Sequence, residues 1–253
     1  MIYLFLQKFL RMVPEWQKRT EILIGAENLS LLKSKHVLVA GLGGVGAPAA
    51  EQLCRAGVGN ISIVDADSIH PTNRNRQILA LKSTEGFSKT ALMEKRLKDI
   101  NPDVNVIAHA IYLKDETIFQ ILDNTYDYII DAIDTLSPKV FFLYYAHKAG
   151  FNVVSSMGAG GKFDPTQIQI SDLSESYNCT LAKYVRKRLH KLGVHSGIKV
   201  VFSPEEVAKD AVIFDTDKTP NKRTTVGTIS YMPIIMGCFC ASVVIRDLLS
   251  FKI

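Results

Sequence analysis

The residues whose types and spacing suit them to chemistry are a run of glycines, a few acids and two cations. Gly41-Leu42-Gly43-Gly44-Val45-Gly46 follows directly on a β-type apolar run at 37–40 and precedes an Ala-rich helical stretch at 47–56. This is the strand–turn–helix context in which a glycine loop holds phosphates. Gly41 permits the tight turn, Gly43 and Gly44 leave backbone N–H groups open to a phosphate, and Gly46 lets the helix approach the strand. The new helix N-terminus favours an anion through its dipole and unpaired donors. Taken alone, the motif says dinucleotide or nucleotide and no more.

Asp65 closes a second apolar run some two dozen residues on, where a ribose-binding carboxylate belongs. Asp67, the polar stretch Asn73-Arg74-Asn75-Arg76-Gln77, Lys89 at a helix start and Asp131-Ala132-Ile133-Asp134 at a strand end add carboxylates, a guanidinium and an ammonium around one site. A nicotinamide site needs a hydride path and an apolar ring pocket, and has little use for Arg76 and Lys89. Cleavage of ATP between its α- and β-phosphates needs such cations, because negative charge grows on the leaving pyrophosphate.

Strict alternation of β and α signals positions these groups. Strands are expected at 36–40, 60–65, 104–108, 128–133 and 151–156, with helices between them, one of them opening at Ser137. The pattern predicts an α/β, Rossmann-like, doubly wound and mostly parallel sheet, in which ligands bind at the carboxyl ends of the strands. Asp65, Asp134 and the glycine loop all fall there. Beyond Gly161 the pattern changes. Alternating runs at 167–171 and 200–203 read as strands added to the sheet. Between them, 181–192 reads as an amphipathic helix whose cationic face carries Lys183, Arg186, Lys187 and Arg188. Residues 210–225 are polar and read as a mobile loop. An apolar helix over 229–244 closes the chain. Residues 1–35 read as a helical N-terminal segment, with Gly25 as a C-cap for the piece that contains Arg19.

Composition removes several classes. At 47% hydrophobic and 22% charged, the chain has the material for a substantial core and is not a disordered polymer. Its four cysteines, Cys54, Cys179, Cys238 and Cys240, form no Cys-x-x-Cys pair, which excludes a four-cysteine zinc site, and they suit a reducing, cytoplasmic setting. The six histidines form no metal motif. The apolar N-terminus lacks a basic n-region and a cleavage site, so it does not read as a signal peptide. The C-terminal apolar run is short for a membrane span and contains Pro233, so a buried helix, with no stable membrane insertion, is expected. The net charge of +5 is compatible with a phosphate-rich partner without showing one.

With these motifs in place, the chain resembles the ubiquitin-activating E1-like adenylating family, which includes the molybdopterin- and thiamine-pathway activating enzymes. The resemblance rests on the glycine loop, Asp65-Ala66-Asp67, Asn73 with Arg76-Gln77, Lys89 and Asp134. Within the family it is most similar to the bacterial tRNA threonylcarbamoyladenosine dehydratases. That similarity lies in Arg19-Thr20-Glu21, Asp131-Ala132-Ile133-Asp134, Gly158-Ala159-Gly160-Gly161, Asp164-Pro165-Thr166-Gln167-Ile168 and Val201-Phe202-Ser203. It implies an E1-like ATP-binding adenylation domain over 36–253, with 161–253 as a substrate-side extension of the same domain. It implies that Gly41, Gly43, Gly44 and Gly46 line the nucleotide, that Asp65 holds the ribose, and that Asn73, Arg76, Gln77 and Lys89 face the triphosphate. Asp134 would help place Mg²⁺, and Arg19 would reach the ATP of a partner subunit in a homodimer. The expected reaction is ATP-dependent dehydration of N6-threonylcarbamoyladenosine in tRNA to its cyclic form through a carboxyl-adenylate, with the 183–191 helix as a contact for tRNA phosphates.

Plainer readings stand beside these. Arg76, Lys89 and Arg19 can also be read as surface charges, Asp134 as a helix N-cap, and Asp67 as structural. The 158–161 glycines read as a flexible turn and the cationic helix as a solvated face. Cys179 precedes a helix, where a thiolate is stabilised, but packing or solvent exposure explains it as well. Two other functions remain. One is adenylation of the C-terminus of a ubiquitin-like sulfur carrier, which leaves open a sulfur-relay partner. The other is a nicotinamide-dependent oxidoreductase or nucleotide-binding scaffold.

Overall fold

Apolar runs without polar alternation make strands buried on both faces, and seven strands form one sheet here. The computed structural model describes residues 13–214 and 224–251. Strands β1 (His36–Ala40), β2 (Asn60–Val64), β3 (Asn105–His109), β4 (Tyr128–Asp131), β5 (Val153–Ser156), β6 (Gln169–Asp172) and β7 (Lys199–Phe202) stand in the order β3-β2-β1-β4-β5-β7-β6. All neighbours are parallel except β6, which runs antiparallel to β7. The strand order reverses at β1, between β2 and β4, so a crevice opens beyond the carboxyl end of β1, where the glycine loop begins.

Side-chain alternation along each strand divides the core in two. Val37, Val39, Ile61, Ile63 and Ile130 face one layer. That layer is built by α2 (Ala26–Ser34), α3 (Gly46–Ala56), α4 (Lys89–Ile100) and the C-terminal α8 (Tyr231–Leu248). Leu38, Ala40, Ile129, Val200 and Phe202 face the other, with α5 (Glu116–Leu122), α6 (Leu136–Lys148) and α7 (Thr180–Lys191) over them. The doubly wound reading is therefore correct, and the two later strands join the sheet as expected.

Several boundaries shift for local reasons. The helical N-terminal segment is described from residue 13 onward, and residues 1–12 lie outside the described residues. Gly25, at φ +84°, ends α1 (Lys18–Ile24) as its C-cap and also starts α2. The fourth strand stops at Asp131 rather than 133, because the Asp131 carboxylate accepts the Ile133 N–H (3.1 Å) and turns the chain. Residues 212–214 and 224–226 pair as a small hairpin, β8 (Val212–Phe214) with β9 (Thr224–Val226), inside the stretch read as a loop. Residues 215–223 of that stretch lie outside the described residues. The C-terminal helix has Pro233 in its first turn, where a missing N–H is tolerated. By length and composition α8 could cross a membrane. In this fold Met232, Met236, Cys240, Ala241, Val243 and Val244 are buried in the core. Gly237 lets α8 close on α3, since a Cβ there would lie 2.3 Å from the Val45 carbonyl oxygen.

Candidate active site

The glycine loop is clamped between the ends of three strands. Gly41 donates its N–H to the Val64 carbonyl (2.8 Å), and Ala132 donates to the Ala40 carbonyl (2.8 Å). At φ +92°, Gly41 lies where a Cβ would meet the Ala132 carbonyl oxygen at 2.7 Å, so no other residue fits without strain. Gly46 is needed for close approach: its Cβ would fall 1.7 Å from the Gly41 carbonyl oxygen. Val45 precedes α3 without a side-chain cap, so the first-turn N–H groups face the loop.

Gly43 and Gly44, which the sequence pairs in one phosphate-facing role, part company. A Cβ on Gly44 would strike Pro233 Cβ at 2.8 Å and the Arg76 carbonyl oxygen at 3.2 Å, so this glycine seats the loop against α8. A Cβ on Gly43 would meet only the Gln77 amide nitrogen, at 3.8 Å. Gly43 alone leaves an open approach to the backbone. Gly46→Ala is expected to destabilise the protein by about 3 kcal/mol or more through overpacking against backbone. Gly43→Ala is expected to shift stability by under about 0.5 kcal/mol while weakening ATP binding. Thermal melts and titration calorimetry with ATP separate the two.

Asp65 meets this loop directly, and Lys89 reaches it through Asp65. Asp65 Oδ2 accepts the Leu42 N–H (2.6 Å) and its Oδ1 accepts the Asp67 N–H (2.8 Å). Burial pushes the Asp65 carboxyl above its ordinary range, against the pull of Lys89 and these two N–H groups. Lys89, first residue of α4, is only 4% exposed. Its Nζ lies 2.7 Å from Asp67 Oδ2 and 3.6 Å from Asp65 Oδ1. It is therefore not a surface charge. Asp67 serves here as the partner of Lys89, which is its structural reading.

The 70–77 turn supplies the rest. Asn73 Oδ1 accepts the His70 N–H (2.9 Å), fixing the turn. The Arg76 guanidinium donates to the Thr72 carbonyl (3.1 Å) and to Asn75 Oδ1 (2.9 Å). Gln77 is 8% exposed, its amide nitrogen faces Gly43, and its Oε1 is buried without a hydrogen-bond partner among the described residues. Such an atom costs about 1–3 kcal/mol unless a donor meets it.

Asp134 is exposed, in the turn whose Ala132 carbonyl meets Gly41. The N-cap position of α6 is held by Thr135, without a side-chain cap bond, and Asp134 stands one residue before it. The acid at the strand end is Asp131, which the sequence reading left without a role. Asp131 and Lys139 are both fully buried and 2.7 Å apart. Ser155 Oγ donates to Asp131 Oδ2 (2.6 Å), and Lys139 Nζ donates to the Ile133 carbonyl (3.1 Å). The available signal was positional: Lys139 shares a helical stripe with Leu143 and Ala146, both buried.

The 158–164 segment is held, not merely flexible. Gly161 donates to the Gly227 carbonyl (2.7 Å), and a Cβ on it would lie 2.4 Å from Val207. Lys162, 3% exposed, donates to the Glu205 and Asn178 carbonyls, and burial lowers its pKa. On α7, Lys183, Lys187 and Arg188 are exposed, with Arg188 donating to Ser137 Oγ (2.8 Å). Arg186 departs from the cationic face. Its guanidinium turns inward to the Leu173 carbonyl (3.1 Å), the Ser176 carbonyl (2.6 Å) and Ser176 Oγ (2.7 Å), closing a turn rather than meeting an external phosphate. Arg19 is exposed on α1 beside Ile22 and Leu23, and no hydrogen bond or ion pair among the described residues joins it to the loop. Burial raises the thiol pKa values of Cys54 to about 11 and of Cys240 to about 12, and raises that of Cys238. Cys179, the N-cap residue of α7, is buried.

Residues 18–252 match the model of the ThiF family. The chain belongs to the ThiF family. The tRNA threonylcarbamoyladenosine dehydratase of Bacillus subtilis is 40% identical over 237 residues, covering 91% of this chain and 93% of that one. The dehydratase of the same name from Escherichia coli is 38% identical over 75% of each chain. The crystal structure of the Escherichia coli dehydratase in complex with ATP superposes with a TM-score of 0.85 at 32% identity, covering 94% of this chain and 96% of that one. In this ThiF-family chain Lys89 stands at Asp65, the Gln77 amide lies against Gly43, and the Arg76 carbonyl lies against Gly44.

Proposed function

We propose that this ThiF-family protein dehydrates N6-threonylcarbamoyladenosine in tRNA, using ATP. The near full-length likeness to dehydratases of that name carries the reading, and the site supplies matching chemistry. ATP lies with its phosphates over the open backbone of Gly43 at the start of α3, and Asp65 accepts the ribose hydroxyls. A carboxylate oxygen of the threonyl group bonds to the α-phosphorus, and the bond to pyrophosphate breaks. Lys89 and Arg76 compensate the charge that grows on the leaving group. The substrate's carbamoyl group then attacks the activated carboxyl carbon, AMP leaves, a proton is lost, and the ring closes. Nucleophile and electrophile belong to one molecule, so proximity drives the second step without a protein nucleophile. That suits a chain in which burial raises the thiol pKa values of Cys54, Cys238 and Cys240.

Among the described residues no group of three or more His, Cys, Asp or Glu side chains could hold a metal ion. A single exposed carboxylate nevertheless fits Mg²⁺, which takes its other ligands from phosphate and water. Asp134 would hold the ion, whose chemistry is to neutralise phosphate charge when bound.

The experiment is pyrophosphate release with purified modified tRNA, with mass analysis of the nucleosides. Turnover with a Gly-Gly-ended carrier protein and none with tRNA would replace this reading. Lys183 and Lys187 supply cations for tRNA phosphates, and Arg188 adds a third. Lys183→Glu combined with Lys187→Glu is expected to raise KM for tRNA about 10-fold at low salt and to cut the salt slope by about 2.

Arg19 completes the site from the second subunit of a cytoplasmic homodimer. The exposed Ile22 and Leu23 beside it support an interface there. Arg19→Ala and Lys89→Ala are each expected to lose about 99% or more of the activity. Mixed after subunit exchange, they should recover about a quarter of wild-type activity, since half the dimers then hold one intact site. Failure to complement places Arg19 elsewhere.

A further inference from the structure

Phe163 is an apolar ring held out in water. Its side chain is 66% exposed, yet its backbone is tightly fixed. The Phe163 N–H is shared by both Glu205 carboxylate oxygens (2.8 and 2.9 Å), and the Asp164 N–H donates to Glu205 Oε2 (2.8 Å). The Phe163 carbonyl accepts the Tyr231 hydroxyl (2.8 Å), and the two rings meet edge to face at 6.0 Å. Two backbone N–H groups, one of them bifurcated, and a side-chain hydroxyl thus fix a ring that fills no part of the core.

Contacts of its segment lead toward the glycine loop on one side and toward α7 on the other. Tyr231 opens α8 two residues before Pro233, which seats Gly44. Asn75, next to Arg76, donates to the Thr228 carbonyl (3.0 Å), which ties the same segment to the cation turn. On the other side, Lys162 donates to the Asn178 carbonyl (3.4 Å), one residue before the N-cap of α7. Lys183 stands exposed on the first turns of α7.

A fixed, exposed aromatic face with an exposed cation on the adjoining helix is the combination that single-stranded RNA uses. The bases stack on the ring and the phosphates meet the cation. We propose that Phe163, backed by Tyr231, is a stacking platform for an unpaired nucleobase flanking the nucleotide whose carboxylate is activated. The proposal rests on RNA being the substrate carrier. A packing role in this chain does not account for a ring two-thirds exposed.

The test compares the full-length wild type with Phe163→Ala, Phe163→Leu and Phe163→Trp on modified tRNA. Phe163→Ala is expected to raise KM for tRNA about 10-fold, the scale of one lost base stack, with kcat nearly unchanged. Its ATP affinity by calorimetry should match wild type, which shows that the fold and nucleotide site persist. Phe163→Trp should stay within about threefold of wild type, while Phe163→Leu should behave like alanine, since stacking needs a π face. An unchanged KM in Phe163→Ala, or full rescue by leucine, overturns the platform alone. A lower mass for Phe163→Ala than for wild type on gel filtration also overturns it, by assigning the ring to a contact with a second copy. No turnover of tRNA by the wild type overturns the functional reading and the platform with it.

Discussion

Replacing Lys89 with alanine should lower the rate of pyrophosphate release by about 10²–10³-fold. Lys89 is a buried cation of the site, 3.6 Å from Asp65 and fixed by Asp67 at 2.7 Å. A buried ammonium acts in a low effective dielectric, so its interaction with a growing negative charge exceeds that of an exposed lysine. The substitution also has a signature in pH. Lys89 holds the Asp65 carboxyl down against burial. Without it the Asp65 pKa rises, so any residual activity that needs ionised Asp65 should fall off at a higher pH than in wild type. A pH–rate profile of the variant checks the direction. An enzyme that keeps full activity as Lys89→Ala would refute the phosphate role outright.

Lys139→Met should be the most damaging substitution to stability among the charged positions, at about 3–5 kcal/mol. It leaves the Asp131 carboxylate at 0% exposure without its cation, and Ser155 alone does not replace a full charge. The melting temperature should fall by roughly 10 °C. The pair also shapes the site, because Lys139 holds the Ile133 carbonyl while Asp131 holds the Ile133 N–H. The intervening Ala132 carbonyl abuts Gly41, so ATP affinity should weaken in the same variant. Asp131→Asn combined with Lys139→Met removes both charges and should recover more than half of the lost stability. If Lys139→Met melts within about 2 °C of wild type, the pair is not the anchor of this turn.

Much of the fold follows from local patterning. The β–α alternation is readable because each apolar run and each amphipathic stretch is contiguous in the chain. Gly25, the glycine loop and the turn at Asp65 are readable because their backbone demands are local. Part of the candidate site was legible in the same way: Asp65 follows a strand end and Lys89 opens a helix, and the two stand 3.6 Å apart.

What escaped depends on distant partners. Gly44 was read with Gly43, but its neighbour is Pro233, on a helix nearly two hundred residues away. Arg186 reads as one more cation on a helix face until the Leu173–Glu175 turn folds beneath it and takes its guanidinium. Asp134 looked like the strand-end acid, whereas the strand ends on Asp131, whose charge is tolerated only because Lys139 and Ser155 meet it. By itself the sequence determined the order of elements, the phosphate loop and the chemical types around it, since those arise from residues close in the chain. The tertiary structure decided which charges are buried in pairs, which cations remain for a ligand and which aromatic ring stays exposed. Burial and partner are properties of the assembled layers, and no local segment carries them.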